Sequence, residues 1–429
     1  MKQDLLVEFD QRGILHGQQT LADYLPGVDP GLTPLGMREA LLGASTLTAL
    51  ALAYGEAGSQ QVLKRAGVVS SRRTTEAEVL DLCAARDVSL LPARLDAGVP
   101  LGWHLDEVNV REAWNQHWGG PDHIDWGGVK VGLVDTGYTR HPVFGFPDQP
   151  WLDVDGARTY FAEGADQGDP GPGHGIDPLA ALYDGHGTRV GSVICGYDPG
   201  AVAGTYFGVA PKVPLVPVRI ANTVLITHAQ RELAQALRYL VNDVKVSVIN
   251  LSMGFLPRFS TMRVLRKAID EVYRAGVIFV CAAGQPLPRV ISPAYLPATI
   301  AAAGTTRLSH GTSAPWGQSA YGPAVDWSAP AAHIHRAEMR KPSTPAYAGR
   351  GDGTSYAAAI TTGAAALWLA KHRETLDSAY PHKWQRVEAF RTAAKETALT
   401  MPNQQPGSFG AGILNIGKLL AAELPKHIK

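Results

Sequence analysis

Between Val129 and Ala283, short apolar runs rich in β-branched residues alternate with longer segments whose apolar positions recur every three or four residues. The runs are Val129–Asp135, Leu215–Ile220, Val246–Leu251 and Val277–Ala283; the periodic segments are the stretch after His186, Arg231–Val241 and Thr261–Ala275. A run too apolar to have a solvent face fits a strand buried on both sides. Alternated with helices, such strands predict an α/β fold, a parallel sheet covered by helices on both faces. Ligands of such sheets bind beyond the carboxyl ends of the strands, where Asp135 and the turns at Ser252 and Gln285 fall.

The pattern changes on either side. Residues 1–98 read as a small, mostly helical N-terminal region: Leu35–Tyr54, Gln60–Ala66 and a helix opened by the capping box Thr75-x-x-Glu78, followed by a short strand at Val88–Leu91. The uncharged run Ala40–Gly55 is 16 residues long, short of the roughly 20 a membrane span needs, so a buried helix is expected there. The larger region, 99–429, closes with a helix from Ser355 to about His372, another over Trp384–Thr397, a glycine-rich turn at Gly407–Gly412, a short strand Ile413–Ile416 and a last helix.

Charge narrows the partners. Lys plus Arg equals Asp plus Glu at 39 each, and no basic run is interleaved with aromatics, so neither nucleic acid nor an anionic membrane is an expected partner. A protein or peptide is. Cys83, Cys195 and Cys281 are odd in number, far apart and set among apolar residues, a pattern that suits buried thiols in a reducing compartment. The N-terminal stretch Met1–Asp10 is charged throughout and has no apolar core of a secretory signal, which adds to an expectation of a cytoplasmic protein.

Three glycine-flanked turns carry candidate chemistry. They are Val131-Gly132-Leu133-Val134-Asp135-Thr136-Gly137, then Asp184-Gly185-His186-Gly187-Thr188, then Gly351-Asp352-Gly353-Thr354-Ser355 running into an Ala-rich helix. Alone, each has a plainer reading: Ser355 as a helix cap, His186 as a cap or a metal ligand with His174, Asp135 as the start of a phosphate or metal site. Together, in the order Asp, His, Ser, they make a nucleophile, a base and the carboxylate that orients the base. On these motifs the chain resembles the subtilisin-like serine proteases, or subtilases, from about Leu101 to about Leu424.

The resemblance implies a serine endopeptidase in which Asp135, His186 and Ser355 act as the triad. It implies further that Ser252, Met253 and Gly254, in Ile249-Asn250-Leu251-Ser252-Met253-Gly254, pair with an extended peptide and form one wall of the pocket for the P1 side chain, that of the residue whose carbonyl is attacked. Ala282, Ala283 and Gly284 would form the other wall. Residues 1–98 would be propeptide-like or a partner-docking region, and a regulatory protein partner is a matching expectation. The insertion Phe161–Pro178 reads as a solvated loop; in this family such loops often bind calcium, and Glu163, Asp166, Asp169 and Asp177 are its carboxylates, although they follow no ordered ligand spacing. No other cofactor or metal is expected.

The chain departs from the family in two places. Gln285 stands where family members usually carry the Asn whose amide donates to the oxyanion, and Tyr356-Ala357-Ala358-Ala359-Ile360 follows the serine where Met, Ala, a small residue, Pro and His are usual. These departures keep open a second reading, a pseudoprotease that binds an extended peptide or partner without cleaving it.

Overall fold

The computed structural model describes residues 99–426 except 162–173, 180–182, 198–207, 227–228, 256–258, 287, 309–310, 312, 341–343, 403 and 406; it also describes 428 and, as backbone, the N-terminal strands. Residues 259–262, 340 and 348–350 are likewise described by backbone alone. The chain divides into two compact units, residues 1–92 with 285–289 and residues 93–284 with 290–429.

The described part of the first unit is an antiparallel sheet of β1 (Gln3–Phe9), β2 (Met37–Leu42), β3 (Leu47–Tyr54) and β4 (Val68–Thr74), ordered β2-β3-β1-β4. This corrects the helix expected over Leu35–Tyr54. Leucine and alanine favour helices, but Leu50, Leu52 and Tyr54 alternate with Ala49, Ala51 and Ala53, a period of two that suits pairing with β1 along Gln3–Glu8. The expected elements at Gln60–Ala66, Thr75–Glu78 and Val88–Leu91 lie outside the described residues.

In the second unit, β5 (Val131–Asp135), β6 (Arg158–Thr159), β7 (Leu215–Arg219), β8 (Val248–Leu251), β9 (Ile278–Ala282), β10 (Ile300–Arg307), β11 (Ser313–Pro315) and β12 (Trp327–Pro330) form one sheet. Its order is β11-β10-β9-β8-β5-β7-β6, with β12 also on β10; every pair is parallel except β10 with β11. The hairpin β13 (Ile334–Arg340) and β14 (Thr344–Gly351) follows. From β5 the chain moves to β6 and β7 on one side and then back across to β8 on the other, so the strand order reverses at the end of β5. Such a reversal opens a crevice at the carboxyl edge.

The helices are α1 (Trp103–Glu107), α2 (Val110–Trp118), α3 (His186–Cys195), α4 (Gln230–Tyr239), α5 (Phe259–Arg274), α6 (Thr354–Ala379), α7 (Gln385–Thr397) and α8 (Ile416–Ala421). Successive strand side chains point to opposite faces. Ile278 and Val280 of β9 join one core with residues of α3, α6 and α7, while Phe279 and Cys281 join another with Leu233 and Leu237 of α4 and Leu265 and Ile269 of α5. Both faces are covered, as the unbroken apolar runs predict, and each fully buried Val, Leu or Ile contributes roughly 1.5–3 kcal/mol.

Helix α6 is buried from Thr354 to Ala370. Its alanines let it lie close to the sheet, and its buried hydroxyls are satisfied: Thr362 Oγ1 accepts from Asn250 Nδ2 at 2.9 Å and Thr361 Oγ1 from Trp327 Nε1 at 3.1 Å. The strand expected over Ile413–Ile416 is confined to Ile413, bridged to Leu399 and Ser328, because α8 starts at Ile416 with Asn415 as its cap. Among the described residues, no helix is long and apolar enough to cross a membrane.

Candidate active site

Three element ends meet in the crevice. Asp135 closes β5, His186 opens α3, and Ser355 lies in the first turn of α6, where helical N–H groups have no intrahelical partner. Gly185, at φ 69°, turns the chain into α3 in the left-handed region. A Cβ on Gly187 would stand 2.0 Å from the Gly137 carbonyl oxygen, so only glycine lets α3 approach the β5 turn this closely.

The three side chains form a continuous chain of hydrogen bonds. His186 Nδ1 is 2.7 Å from Asp135 Oδ1, and His186 Nε2 is 3.2 Å from Ser355 Oγ. An ionised carboxylate only accepts, so Nδ1 carries the hydrogen and Nε2 of the neutral ring is left as a proton acceptor facing the serine. Asp135 is fully buried, and His186 and Ser355 are each 7% exposed. Ser355 Oγ is also 3.3 Å from the Ser252 carbonyl. A hydroxyl has one hydrogen, so its proton lies with either His186 or Ser252.

A second set of bonds braces the aspartate and the histidine. Thr136 N donates to Asp135 Oδ1 at 2.8 Å, and Thr136 Oγ1 accepts from Gly187 N at 3.1 Å while donating to Asp177 Oδ2 at 2.7 Å. Gly185 N donates to the same Asp177 oxygen at 2.9 Å, and Leu179 N to Asp177 Oδ1 at 2.9 Å. Asp177 thus ties the end of β5 to the start of α3. Burial raises its pKa above the usual carboxylate range, and the Asp135 charge adds to the rise.

Of the carboxylates named for calcium, Asp177 has both oxygens engaged by N–H or O–H donors. Glu163, Asp166 and Asp169 lie outside the described residues.

The segments expected to wall the P1 pocket flank Ser355. Ser252 Oγ is 3.1 Å from both the Ser355 carbonyl and Asn250 Oδ1, and Gly284 N donates to Thr354 Oγ1 at 3.1 Å. Ser252, Met253 and Gly254 follow β8, whereas Ala282 ends β9 and Ala283 and Gly284 follow it. At Gly254, however, both backbone groups are already engaged: its N–H donates to Val224 O at 3.0 Å and its carbonyl accepts from Ile226 N at 2.9 Å. Gln285 follows Gly284 directly and is half-buried.

Tyr356, which replaces the smaller residue usual after the serine, is buried with the Arg336 guanidinium 5.7 Å from its ring centre. Arg336 pairs with Glu338, which also pairs with Arg189 of α3 at 3.0 Å. Burial pushes the Glu338 carboxyl up, but the two guanidinium groups outweigh it and hold the group below its ordinary range. This buried ion-pair cluster on the β13–β14 hairpin is the setting that the larger aromatic residue fits. Sequence reasoning missed the hairpin, together with Thr136, Thr354 and the role of Asp177.

Residues 127–412 match the peptidase S8, or subtilase, family. An extracellular protease of Xanthomonas campestris pv. campestris is 28% identical over 341 residues, covering 74% of this chain and 54% of that protein. An extracellular serine proteinase of a Thermus species is 32% identical over 244 residues, 52% of this chain and 55% of that protein. The chain thus spans about half the length of these two relatives. Subtilisin BL of Lederbergia lenta is 26% identical over 313 residues, 73% of this chain and 96% of that protein. Among solved structures, a protease of Pseudoalteromonas arctica superposes with a TM-score of 0.56 at 22% identity, over 75% of this chain and 96% of that one. MycP1 from Mycobacterium smegmatis does so with a TM-score of 0.53 at 22% identity, over 79% and 89%.

Proposed function

The chain belongs to the subtilase family, and from that premise we propose that it is a serine endopeptidase working through Asp135, His186 and Ser355. The observation that carries the proposal is the unbroken run from Asp135 Oδ1 through both His186 nitrogens to Ser355 Oγ at 2.7 and 3.2 Å.

The chemistry follows from that order. Ser355 Oγ attacks the peptide carbonyl while His186 Nε2 takes its proton, and the buried Asp135 carboxylate stabilises the imidazolium that forms. The oxyanion is met by the Ser355 backbone N–H at the start of α6, with the Gln285 side-chain amide as the second donor. His186 then returns the proton to the leaving amine. Water, activated by the same imidazole, releases the acyl group. The carbonyl of Ser252, beside Ser355 Oγ, accepts the P1 N–H and sets the register of the substrate.

Residues 1–98 are proposed to restrain this activity, as a propeptide-like segment or as a docking region for a regulatory partner. The cytoplasmic expectation is weakened by the relatives and not by the described residues. Cys195 and Cys281 are free and buried, and burial pushes both thiols up, which keeps them inert in any compartment. The relatives described as extracellular weigh toward export.

Cleavage of an unfolded protein substrate tests the proposal. Wild type is expected to cut it, and Ser355→Ala to lose about 10⁴-fold or more in kcat. Binding of the substrate peptides by Ser355→Ala, with no cleavage by wild type, would instead establish the pseudoprotease, for which the Gln285 replacement argues.

A further inference from the structure

Ile291 lies between the two segments read as the pocket walls. A Cβ built on Gly254 would stand 2.0 Å from Ile291 Cδ1, and one built on Gly284 would stand 2.9 Å from Ile291 Cγ1. These glycines belong to the two segments flanking Ser355, so one isoleucine touches both sides of the gap. Its backbone holds it there: Ile291 N donates to Ala283 O at 3.0 Å, and the next residue, Ser292, exchanges two hydrogen bonds with Phe255 at 3.1 Å each. The peptide thus crosses from the end of β9 to the end of β8. Val290 and Ser292 are buried on either side, whereas Ile291 is only half-buried and faces partly open space.

We infer that Ile291 fills the inner part of the P1 pocket and restricts this protein to substrates with a small P1 residue, namely glycine, alanine or serine. The inference rests on the reading of Ser252–Gly254 and Ala282–Gly284 as the pocket walls, and it names the substrate class for that site. Two glycine walls could sandwich a flat aromatic ring. With a branched side chain between them, a ring meets the isoleucine methyl groups, and displacing Ile291 requires moving a backbone segment bonded to both strands. Close-packed surroundings resist such a shift. A methyl or hydroxymethyl group needs no displacement.

The test uses full-length protein and one peptide series that differs only at P1, carrying Ala, Leu or Phe. Cleavage by wild type gives kcat/KM; binding to Ser355→Ala, followed by fluorescence polarisation, reports the pocket whether or not cleavage occurs. Wild type is expected to favour P1 Ala over P1 Phe by tenfold or more, the scale on which a pocket discriminates by size. Ile291→Gly is expected to reverse that order, and Ile291→Ala to shift it toward Leu, with the same trend in binding by the Ser355→Ala versions. Ile291→Ala keeps a side chain at the site and serves where the glycine variant does not fold. Preference for P1 Phe in wild type, or an Ala-to-Phe ratio unchanged in both Ile291 variants, overturns the inference and leaves the protease reading standing. Binding preferences that follow Ile291 in a protein that never cleaves support the pocket and sink the protease reading instead.

Discussion

At the scale of single residues, the chemistry depends on which atoms are left with a choice. Asp135 Oδ1 has two donors, His186 Nδ1 and Thr136 N, so it holds the imidazole in one orientation and leaves Nε2 toward Ser355. Asp177 acts one step further back, as a positioning residue, through Thr136 and the Gly185 and Leu179 amides. Asparagine has one acceptor oxygen in place of two, so Asp177→Asn puts an NH₂ against a donor, an error that costs about 1–3 kcal/mol. Peptide hydrolysis by this variant should show kcat reduced about tenfold or more with KM little changed, since a small misplacement of a catalytic group slows the chemical step. An unchanged kcat, or a loss confined to KM, would show that the brace serves folding or binding only. That Asp135, His186 and Ser355 come together could be expected from the sequence because each stands within two residues of a glycine in a turn. Asp177 could be read only as one carboxylate of a loop without periodicity, since its partners are backbone amides that pattern does not reveal.

At the scale of elements, the strands were legible where burial on both faces left continuous apolar runs. Leu215–Ile220 became β7 and Val277–Ala283 became β9 within a residue or two at each end. Legibility failed where pairing, and not burial, decides. The β13–β14 hairpin carries Arg336, Glu338 and alternating small residues, which look like loop until the ion pairs are seen. Helix α1 borders this hairpin, Trp103 Nε1 donating to the His333 carbonyl just ahead of β13 at 3.2 Å. His104 is buried, with no hydrogen-bond partner for either ring nitrogen among the described residues. Burial first, then the nearby His335 and Arg111 charges, lower its pKa from 6.5 to about 3. Between those values the unfolded chain binds a proton that the folded chain refuses. Stability from this site is therefore fully present above pH 6.5 and declines as pH falls toward 3, by about 1.4 kcal/mol per pH unit. Urea unfolding at a series of pH values should show a decline that His104→Leu makes shallower, with His335 and His372, each lowered to about 4, supplying the rest. An equally steep decline in the variant would assign the acid sensitivity elsewhere.

At the scale of the whole molecule, a doubly covered parallel sheet brings Asp135, His186 and Ser355 together at a strand-order reversal, and the described N-terminal strands form a separate antiparallel sheet. The fold of the larger unit was readable because its alternation of buried strands and helices admits few topologies. Leu35–Tyr54 was misread because leucine and alanine populate both helices and strands, and only strand pairing, that of β3 with β1 and β2, separates them. The central claim is that Ser355 is an activated nucleophile. Its most direct test is labelling of purified full-length protein with a fluorophosphonate probe, beside Ser355→Ala and a chain beginning at Val99. The account predicts labelling that disappears in Ser355→Ala and is faster in the shortened chain, where the restraint proposed for residues 1–98 is gone. Equal labelling of wild type and Ser355→Ala, or none in either length of folded protein, would contradict it.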